Sequence, residues 1–363
     1  MSSQEGHSYA PSGKPNPVVQ PGDFVFAATH LDHGHIYGQC NGLIEAGATL
    51  KYVYDSDPAR VAAFLKRYPQ AQQADSLDRI LEDNSVHLVT SAAIPCQRAA
   101  LGCQVMESGK DYFTDKAPFT TLEQLAQAKV TASQTRRKYM VYYSERLHVE
   151  SAWYAGELIR QGAIGQVIQV INLAPHRLSK SSRPAWFFDK AQYGGILTDI
   201  GSHQFEQFLA YTGAQNARIN FARVDNFANP DQPGLEDFGE ASLTADHGAS
   251  YYCRLDWFTP DGMQSWGDGR LFILGTTGSI EVRKYMDFGR DTGGDLLLLA
   301  DQHKEQLIDC KGKVGFPFFG QLILDCLNRT ENAMTQAHAF KAAELSLQAQ
   351  ALADQTRATS FNS

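Results

Sequence analysis

Phe24-Val-Phe-Ala-Ala28, then Thr29-His-Leu-Asp-His-Gly34, then His35 to Ala46: this stretch decides the fold. Five residues, all apolar and bounded by polar neighbours, read as a buried strand. The segment after the turn carries Ile36, Leu43 and Ile44 among its apolar positions and reads as a helix, and Gly47 stops it. Leu50-Lys-Tyr-Val-Tyr54 is a second strand, ending at Asp55. The unit then repeats. Pro58 to Arg67 is a helix with proline in its first turn, Ser76 to Leu81 a short helix capped by Asp75 or Ser76, and Val86 to Thr90 a strand. Arg98 to Ser108 reads as a helix ended by Gly109, Tyr112 to Thr114 as a strand, Leu122 to Arg136 as a helix and Tyr139 to Tyr143 as a strand. Strands alternating with helices at this spacing predict right-handed β-α-β units on a parallel sheet. The expected class is α/β, with a Rossmann-type dinucleotide-binding domain over residues 23–145.

After a helix over Ser151 to Gln161 the pattern changes. Val167 to Leu173, Arg218 to Val224, Glu240 to Ala245, Ala249 to Trp257, Arg270 to Leu274 and Ser279 to Arg283 read as strands, and Leu296 to Leu299 and Gln306 to Asp309 add two more. Gln204 to Tyr211, Phe318 to Asn328 and Thr335 to Thr356 are the helices expected to cover them. Residues 146–363 are therefore expected to form an α+β domain on a large, mostly antiparallel open sheet, for substrate binding and oligomerisation. The free face or edge of such a sheet predicts a homodimer or homotetramer. Pro11, Pro15, Pro17 and Pro21 make residues 1–22 a flexible arm, with no signal-peptide pattern.

Length predicts two domains, and a formal net charge of -8 argues against nucleic acid as a partner. No apolar run is long enough to span a bilayer. Six scattered cysteines without a C-x-x-C pair predict buried, reduced thiols and a cytoplasmic protein.

A strand, a turn, a helix and an acidic residue after the second strand form the skeleton of a dinucleotide site. Asp55 is placed to bind the ribose hydroxyls and to repel a 2′-phosphate, so NAD is expected over NADP; Asp57 is the alternative. The glycines of G-x-G-x-x-G fall on Thr29, Leu31 and Gly34, so only the last is present, and the helix N-terminus at His35 is left to meet the pyrophosphate. His30, Asp32, His33 and His35 are also clustered, and the run resembles the H-x-H-x-D-H of binuclear zinc hydrolases. The first histidine of that pattern falls on Ala28, and the surrounding order is Rossmann-like, so no metal is expected.

Further motifs carry a family resemblance. Asp115-Lys116-Ala117-Pro118 resembles the E-K-P motif of the glucose–fructose oxidoreductase and inositol dehydrogenase family, Gfo/Idh/MocA. Gly194-Gly195, Asp199 and His203 resemble its G-G-x-x-x-D-x-G-x-H segment, and Asp55 to Arg60 its D-x-D-P-x-R. Ser144 to Gly165 and Ala333 to Ala353 resemble the opening and the last helix of its second domain. Departures are Asp115 for the glutamate, the inserted Ala117, and Ile94-Pro95-Cys-Gln-Arg98-Ala99 where the family has T-P-x-x-x-H. The resemblance implies cofactor contacts at Arg60, Pro95, Arg98, Asp115 and Lys116. It implies transfer of a hydride between a nicotinamide and a ring hydroxyl of a sugar, sugar derivative or inositol. His203 is then the base and Lys116 polarises the reacting oxygen, although in some members the lysine is drawn as the base. Asp199, four residues before His203, shares its helical face and orients the ring or binds a second hydroxyl.

Tyr143, Arg146, His176, Arg177 and Trp186 add aromatic faces and charged groups suited to a polyol, together with Asp199 and His203. Two other readings stand beside this one. Some relatives hold NAD tightly and cleave glycosidic bonds by transient oxidation and elimination. A sugar-sensing or scaffold protein would keep the fold and lose turnover.

Overall fold

The computed structural model describes residue 6 and residues 9–287 and 293–360, with side chains to 357. In chain order the first elements are β1 (Val25–Thr29), α1 (His35–Glu45), β2 (Thr49–Tyr54), α2 (Pro58–Arg67), β3 (Gln72–Gln73), α3 (Leu77–Leu81), β4 (Leu88–Ser91), α4 (Arg98–Glu107), β5 (Asp111–Asp115), α5 (Leu122–Thr135) and β6 (Tyr139–Tyr142). The rest are α6 (Ser144–Leu147), α7 (Glu150–Arg160), β7 (Val167–Pro175), α8 (Lys190–Tyr193), α9 (Ile196–Asp199), α10 (Gly201–Thr212), β8 (Ala217–Asp225), β9 (Phe238–Ala245), β10 (Ser250–Asp256), β11 (Arg270–Gly275), β12 (Ser279–Arg283), β13 (Leu296–Ala300), β14 (Glu305–Asp309), α11 (Pro317–Asn328) and α12 (Gln336–Ser360). No helix among the described residues is long and apolar enough to cross a membrane.

These elements form two compact units. One holds residues 9–142 and Phe316–Phe340; the other holds Tyr143–Gly315 and the chain from Lys341 onward. The chain passes from one unit to the other between Tyr142 and Tyr143, and α11 and the start of α12 belong to the nucleotide-binding unit. The reason is close helix packing. A Cβ at Gly42 of α1 would lie 2.3 Å from the Phe319 ring of α11, so glycine there lets the two helices meet.

The first unit is a six-stranded parallel sheet in the order β3-β2-β1-β4-β5-β6, the Rossmann order. β1, β4, β5 and β6 are buried at every position, as strands covered on both faces are. α2 starts as expected: Pro58 occupies its first turn, and Asp57 caps it by accepting the Ala59 N–H at 2.8 Å.

The expected flexible arm is instead tied down where it is described. Asn16 and Val18 donate N–H bonds at 2.9 Å to the carbonyls of Glu45 and Ala46, and the Gly13 N–H donates to the Glu45 carboxylate at 3.0 Å. Proline removes regular structure from this segment but leaves its remaining N–H groups able to dock. Residues 1–5 and 7–8 of the arm lie outside the described residues.

The second unit is an eight-stranded sheet in the order β14-β13-β12-β11-β7-β10-β9-β8. Only the β7–β10 pair is parallel; the other six neighbours run antiparallel. One face, carrying Val170, Asn172, Ala174, Leu271, Ile273, Ile280 and Val282, is buried. Ile171 and Glu281 on the other face are half-buried, and Phe272 and Leu274 are exposed. This period-2 alternation is what made the strands legible.

Candidate active site

In the nucleotide-binding unit the strand order reverses at β1, and the loops after β1 and β4 flank the crevice where such a sheet receives a ligand. The β1–α1 loop reaches its tight shape without the two missing glycines. His30 takes the left-handed conformation, φ 53°, a region where histidine is tolerated better than most residues. Its N–H donates to the Tyr54 carbonyl at 3.1 Å, the Leu31 N–H to Asp55 Oδ2 at 2.5 Å, the His33 N–H to the Ala92 carbonyl at 3.0 Å and the His35 N–H to His33 Nδ1 at 3.3 Å. Asp32 and Gly34 keep N–H groups with no protein acceptor among the described residues. These are the donors the loop can offer to a pyrophosphate.

Asp55 directly follows β2, as expected. Besides Leu31 it accepts the Asp57 N–H at 2.8 Å, so it pins the loop. Each carboxylate oxygen has a second lone pair, so a hydroxyl can still bind. Arg60 pairs with Asp32 and lies 3.6 Å from both Asp55 and Asp57. Three carboxylates against one guanidinium leave this end of the crevice net negative. The residues therefore fit a dinucleotide.

The C-terminal end of β5 holds a buried polar knot. His35 Nδ1 lies 2.9 Å from Asp115 Oδ1 and His33 Nδ1 3.2 Å from Oδ2. The Lys116 N–H donates to Oδ1 at 2.8 Å, and Arg98 donates to Oδ2 at 3.3 Å. Arg98 also donates to the carbonyls of Ala93 at 2.6 Å and Ala117 at 3.0 Å. Burial opposes ionisation of Asp115, but His35, Arg98 and His33 outweigh it and hold the carboxyl well below its usual range. Burial, with help from His35, pushes His33 well below the usual histidine value, so it is neutral near pH 7.

Several expectations change here. Arg98 was expected as a cofactor contact; it is 1% exposed and bonded to Ala93, Asp115 and Ala117. Pro95 is buried and starts a 3-10 turn over Pro95–Gln97 leading into α4, and Thr29 is buried at the end of β1 with its hydroxyl 2.9 Å from His30 Nδ1. Of the histidines grouped in the sequence, only His33 and His35 converge, and they do so with Asp115, within 4.8 Å, a spacing open to a metal ion. Both Asp115 oxygens already accept donors, one from a guanidinium, so the knot is explained as a hydrogen-bond network.

In the sheet unit, Asp199 ends α9 and His203 lies in the first turn of α10, with helical backbone at Ile200 between them. They are one turn apart, as the spacing predicts, and both are buried. Tyr143 packs edge-on to the His203 ring, 6.3 Å between centroids. His176 stands between Trp257 and Trp266, at 5.4 and 4.8 Å. Trp186 is buried in a 3-10 turn over Ala185–Phe188.

Arg146 and Arg177, expected at the substrate, are occupied elsewhere. Arg146 makes a bidentate pair with buried Glu206, its Nε at 2.9 Å from both oxygens. Arg177 donates to the carbonyls of Pro260, Met263 and Ser265, fastening the 258–267 loop. In both cases burial demands a partner, and a local acceptor supplies it. Sequence reading passed over Lys284, whose ammonium bonds Glu145 Oε2 and Gln207 Oε1, each at 2.8 Å. Its one sequence signal is a lysine at the end of an apolar alternation.

Residues 32–143 match the family model described as an oxidoreductase family with an NAD-binding Rossmann fold, and residues 153–281 match the GFO/IDH/MocA C-terminal domain. A candidate oxidoreductase from Erwinia carotovora atroseptica SCRI1043 is 48% identical; the match covers 91% of this chain and 99% of that one, with a TM-score of 0.88. Levoglucosan dehydrogenase, solved with NADH and L-sorbose, shares the fold at 17% identity and a TM-score of 0.76, over 93% of this chain and 98% of that one. A D-xylose dehydrogenase of Paenarthrobacter nicotinovorans is 23% identical over 150 residues, which is 40% of this chain and 38% of that one. With both halves matched and a near full-length relative at 48% identity, the chain belongs to the Gfo/Idh/MocA oxidoreductase family.

Proposed function

We propose that this protein is an NAD-dependent oxidoreductase that moves a hydride between the nicotinamide and a ring carbinol of a sugar, sugar derivative or inositol. The observation that carries this reading is the main-chain clamp on Lys116: Asp115 takes its N–H and Arg98 holds the Ala117 carbonyl, which fixes the backbone of a buried lysine at the carboxyl end of β5. Such effort to place one lysine is expected of a group that must meet developing charge accurately.

The cofactor, when bound, supplies the site that accepts or returns the hydride. Gly34 and Asp32 offer N–H groups to its pyrophosphate, and Asp55 receives its adenosine ribose. Lys116 stabilises negative charge on the reacting oxygen. His203 takes the hydroxyl proton in oxidation and returns it in reduction, near neutral pH. Asp199, one turn away, orients the ring or holds a second hydroxyl.

The D-xylose and levoglucosan dehydrogenases among its relatives support a carbohydrate substrate. The exposed Phe272 and Leu274, beside Ile171, support pairing of copies through the outer face of the large sheet, as a homodimer or homotetramer. Six cysteine thiols, five of them buried, fit a reducing cytoplasm.

The test is a screen of sugars and inositols for NAD reduction, followed at the NADH band. Turnover that Lys116→Ala and His203→Ala each abolish is expected. Turnover untouched by both substitutions, or none with any sugar and either NAD or NADP, rejects the reading.

A further inference from the structure

The segment that carries Asp199 and His203 is held at its start by side chains from distant parts of the same unit. Gly194 and Gly195 both take positive φ, 92° and 93°, and Gly195, with ψ 160°, has a backbone open in practice to glycine alone. The run that begins at Ile196 continues through helical backbone at Ile200 into α10. Its first two N–H groups, at Ile196 and Leu197, donate to Glu236 Oε2 at 2.9 Å and to Gln350 Oε1 at 3.0 Å. Glu236 precedes β9 and Gln350 lies on α12; both are buried.

The two acceptors lock each other. Gln350 Nε2 donates to both oxygens of Glu236, at 3.2 and 3.1 Å, and to Asp354 Oδ1 at 3.0 Å. Ionised carboxylates only accept, so the amide nitrogen must face them, and its oxygen is left to face Leu197. Lys190 on α8 bridges Glu236 and Asp354. Tyr193 adds a further tie: its hydroxyl accepts the Glu236 N–H at 3.0 Å and donates to the Gly234 carbonyl at 3.2 Å. Glycine at 195 is what permits the approach, since a Cβ there would lie 2.3 Å from Gln350 Cδ. A helix is ordinarily capped by the side chain of its own N-cap residue. Here that residue is Gly195, which has none, and buried N–H groups still need acceptors. Acceptors brought from 40 and 153 residues away tie the start of the run to the chain before β9 and to α12.

We infer that Gln350 and Glu236 are positioning residues: by holding the N–H groups of Ile196 and Leu197 they set where Asp199 and His203 stand. Both of those residues follow on the same helical run, so a shift at its start is carried to each. The inference rests on the proposed function for the roles of Asp199 and His203. It makes α12, far along the chain, a part of the machinery on which the reaction depends.

Gln350→Met keeps the length of the side chain and removes both of its polar atoms. In the folded variant, kcat with any sugar the protein oxidises is expected to fall about tenfold or more, the order of effect of a small misplacement of reacting groups. The dissociation constant for NAD, whose proposed contacts lie on the other unit, should stay near that of the unaltered protein. Asp354→Ala removes an outer partner and leaves both acceptors in place, so it is expected to lower the melting temperature and spare kcat. A merely structural role would cost melting temperature in both variants and kcat in neither, and that result overturns the proposal. Gln350→Asn, one methylene short of Leu197, carries the same expectation should Gln350→Met fail to fold. Crystal structures of the unaltered protein and the folded variant read the positions without any turnover. Asp199 and His203 displaced by about 1 Å is the expected result, and unmoved side chains overturn the proposal. No turnover with any sugar rejects the proposed function instead, and the crystals still decide on the positioning pair.

Discussion

Arg98 and Asp115 hold the chain on both sides of Lys116: the guanidinium meets the Asp115 carboxylate at 3.3 Å and the Ala117 carbonyl at 3.0 Å. Removing Arg98 takes the guanidinium away from a buried carboxylate. Arg98→Ala is expected to cost about 3–5 kcal/mol of stability, measured by urea unfolding. Arg98→Lys keeps the charge but loses the fork and should recover only part of it. In both, kcat should fall more than the KM for NAD rises, because what is disturbed is the placement of Lys116.

Lys116→Ala removes charge without removing the knot that holds its backbone. Turnover is expected to fall by roughly 10² or more, the size of one lost oxyanion donor. The melting temperature and NAD affinity, read by thermal shift and tryptophan fluorescence, should stay near those of the unaltered protein.

Cofactor choice follows the acidic end of the crevice. Asp55→Ala should weaken NAD by about 1.5–3 kcal/mol, the range for a hydrogen bond to a charged group, and narrow the preference for NAD over NADP. The ratio of kcat/KM for the two cofactors measures this. Because Asp55 also pins Leu31 and Asp57, a loss of melting temperature should accompany it.

Acid should act in two separate windows. His33 has a folded pKa pushed down by burial, so below about pH 6.5 the unfolded chain takes up a proton that the folded one refuses. Its contribution is fully present above that pH and declines as pH falls. Asp115 is depressed too, from a carboxylate reference, so its contribution holds until about pH 4 and is lost below. Melting temperatures from pH 7.5 to 5 should drop, and His33→Gln should flatten that slope while leaving the loss below pH 4.

Much of this was legible in local pattern. Val25–Thr29 and Asp111–Asp115 are buried along their whole length, and Ser279–Arg283 alternates, so their sequences announce them. Gln72–Gln73 did not, because two exposed residues carry no period. The union of His35 with Asp115, 80 residues apart, leaves no local mark, nor does the joining of α11 to the first unit. Arg98, Arg146 and Arg177 mislead for a common reason. An arginine in a sequence looks like a ligand for phosphate or sugar, whereas burial turns it toward whichever acceptor the fold has left over.

The β1–α1 loop, with its left-handed His30 and its N–H groups turned onto Tyr54, Asp55 and Ala92, has a consequence for binding kinetics. Glycines would leave such a loop with many backbone states to lose when a ligand arrives; side-chain and main-chain bonds have already removed them on folding. The loop meets its cofactor preorganised, so association needs little ordering, and a mutation that loosens the loop is felt as a slower, weaker capture rather than as lost contacts.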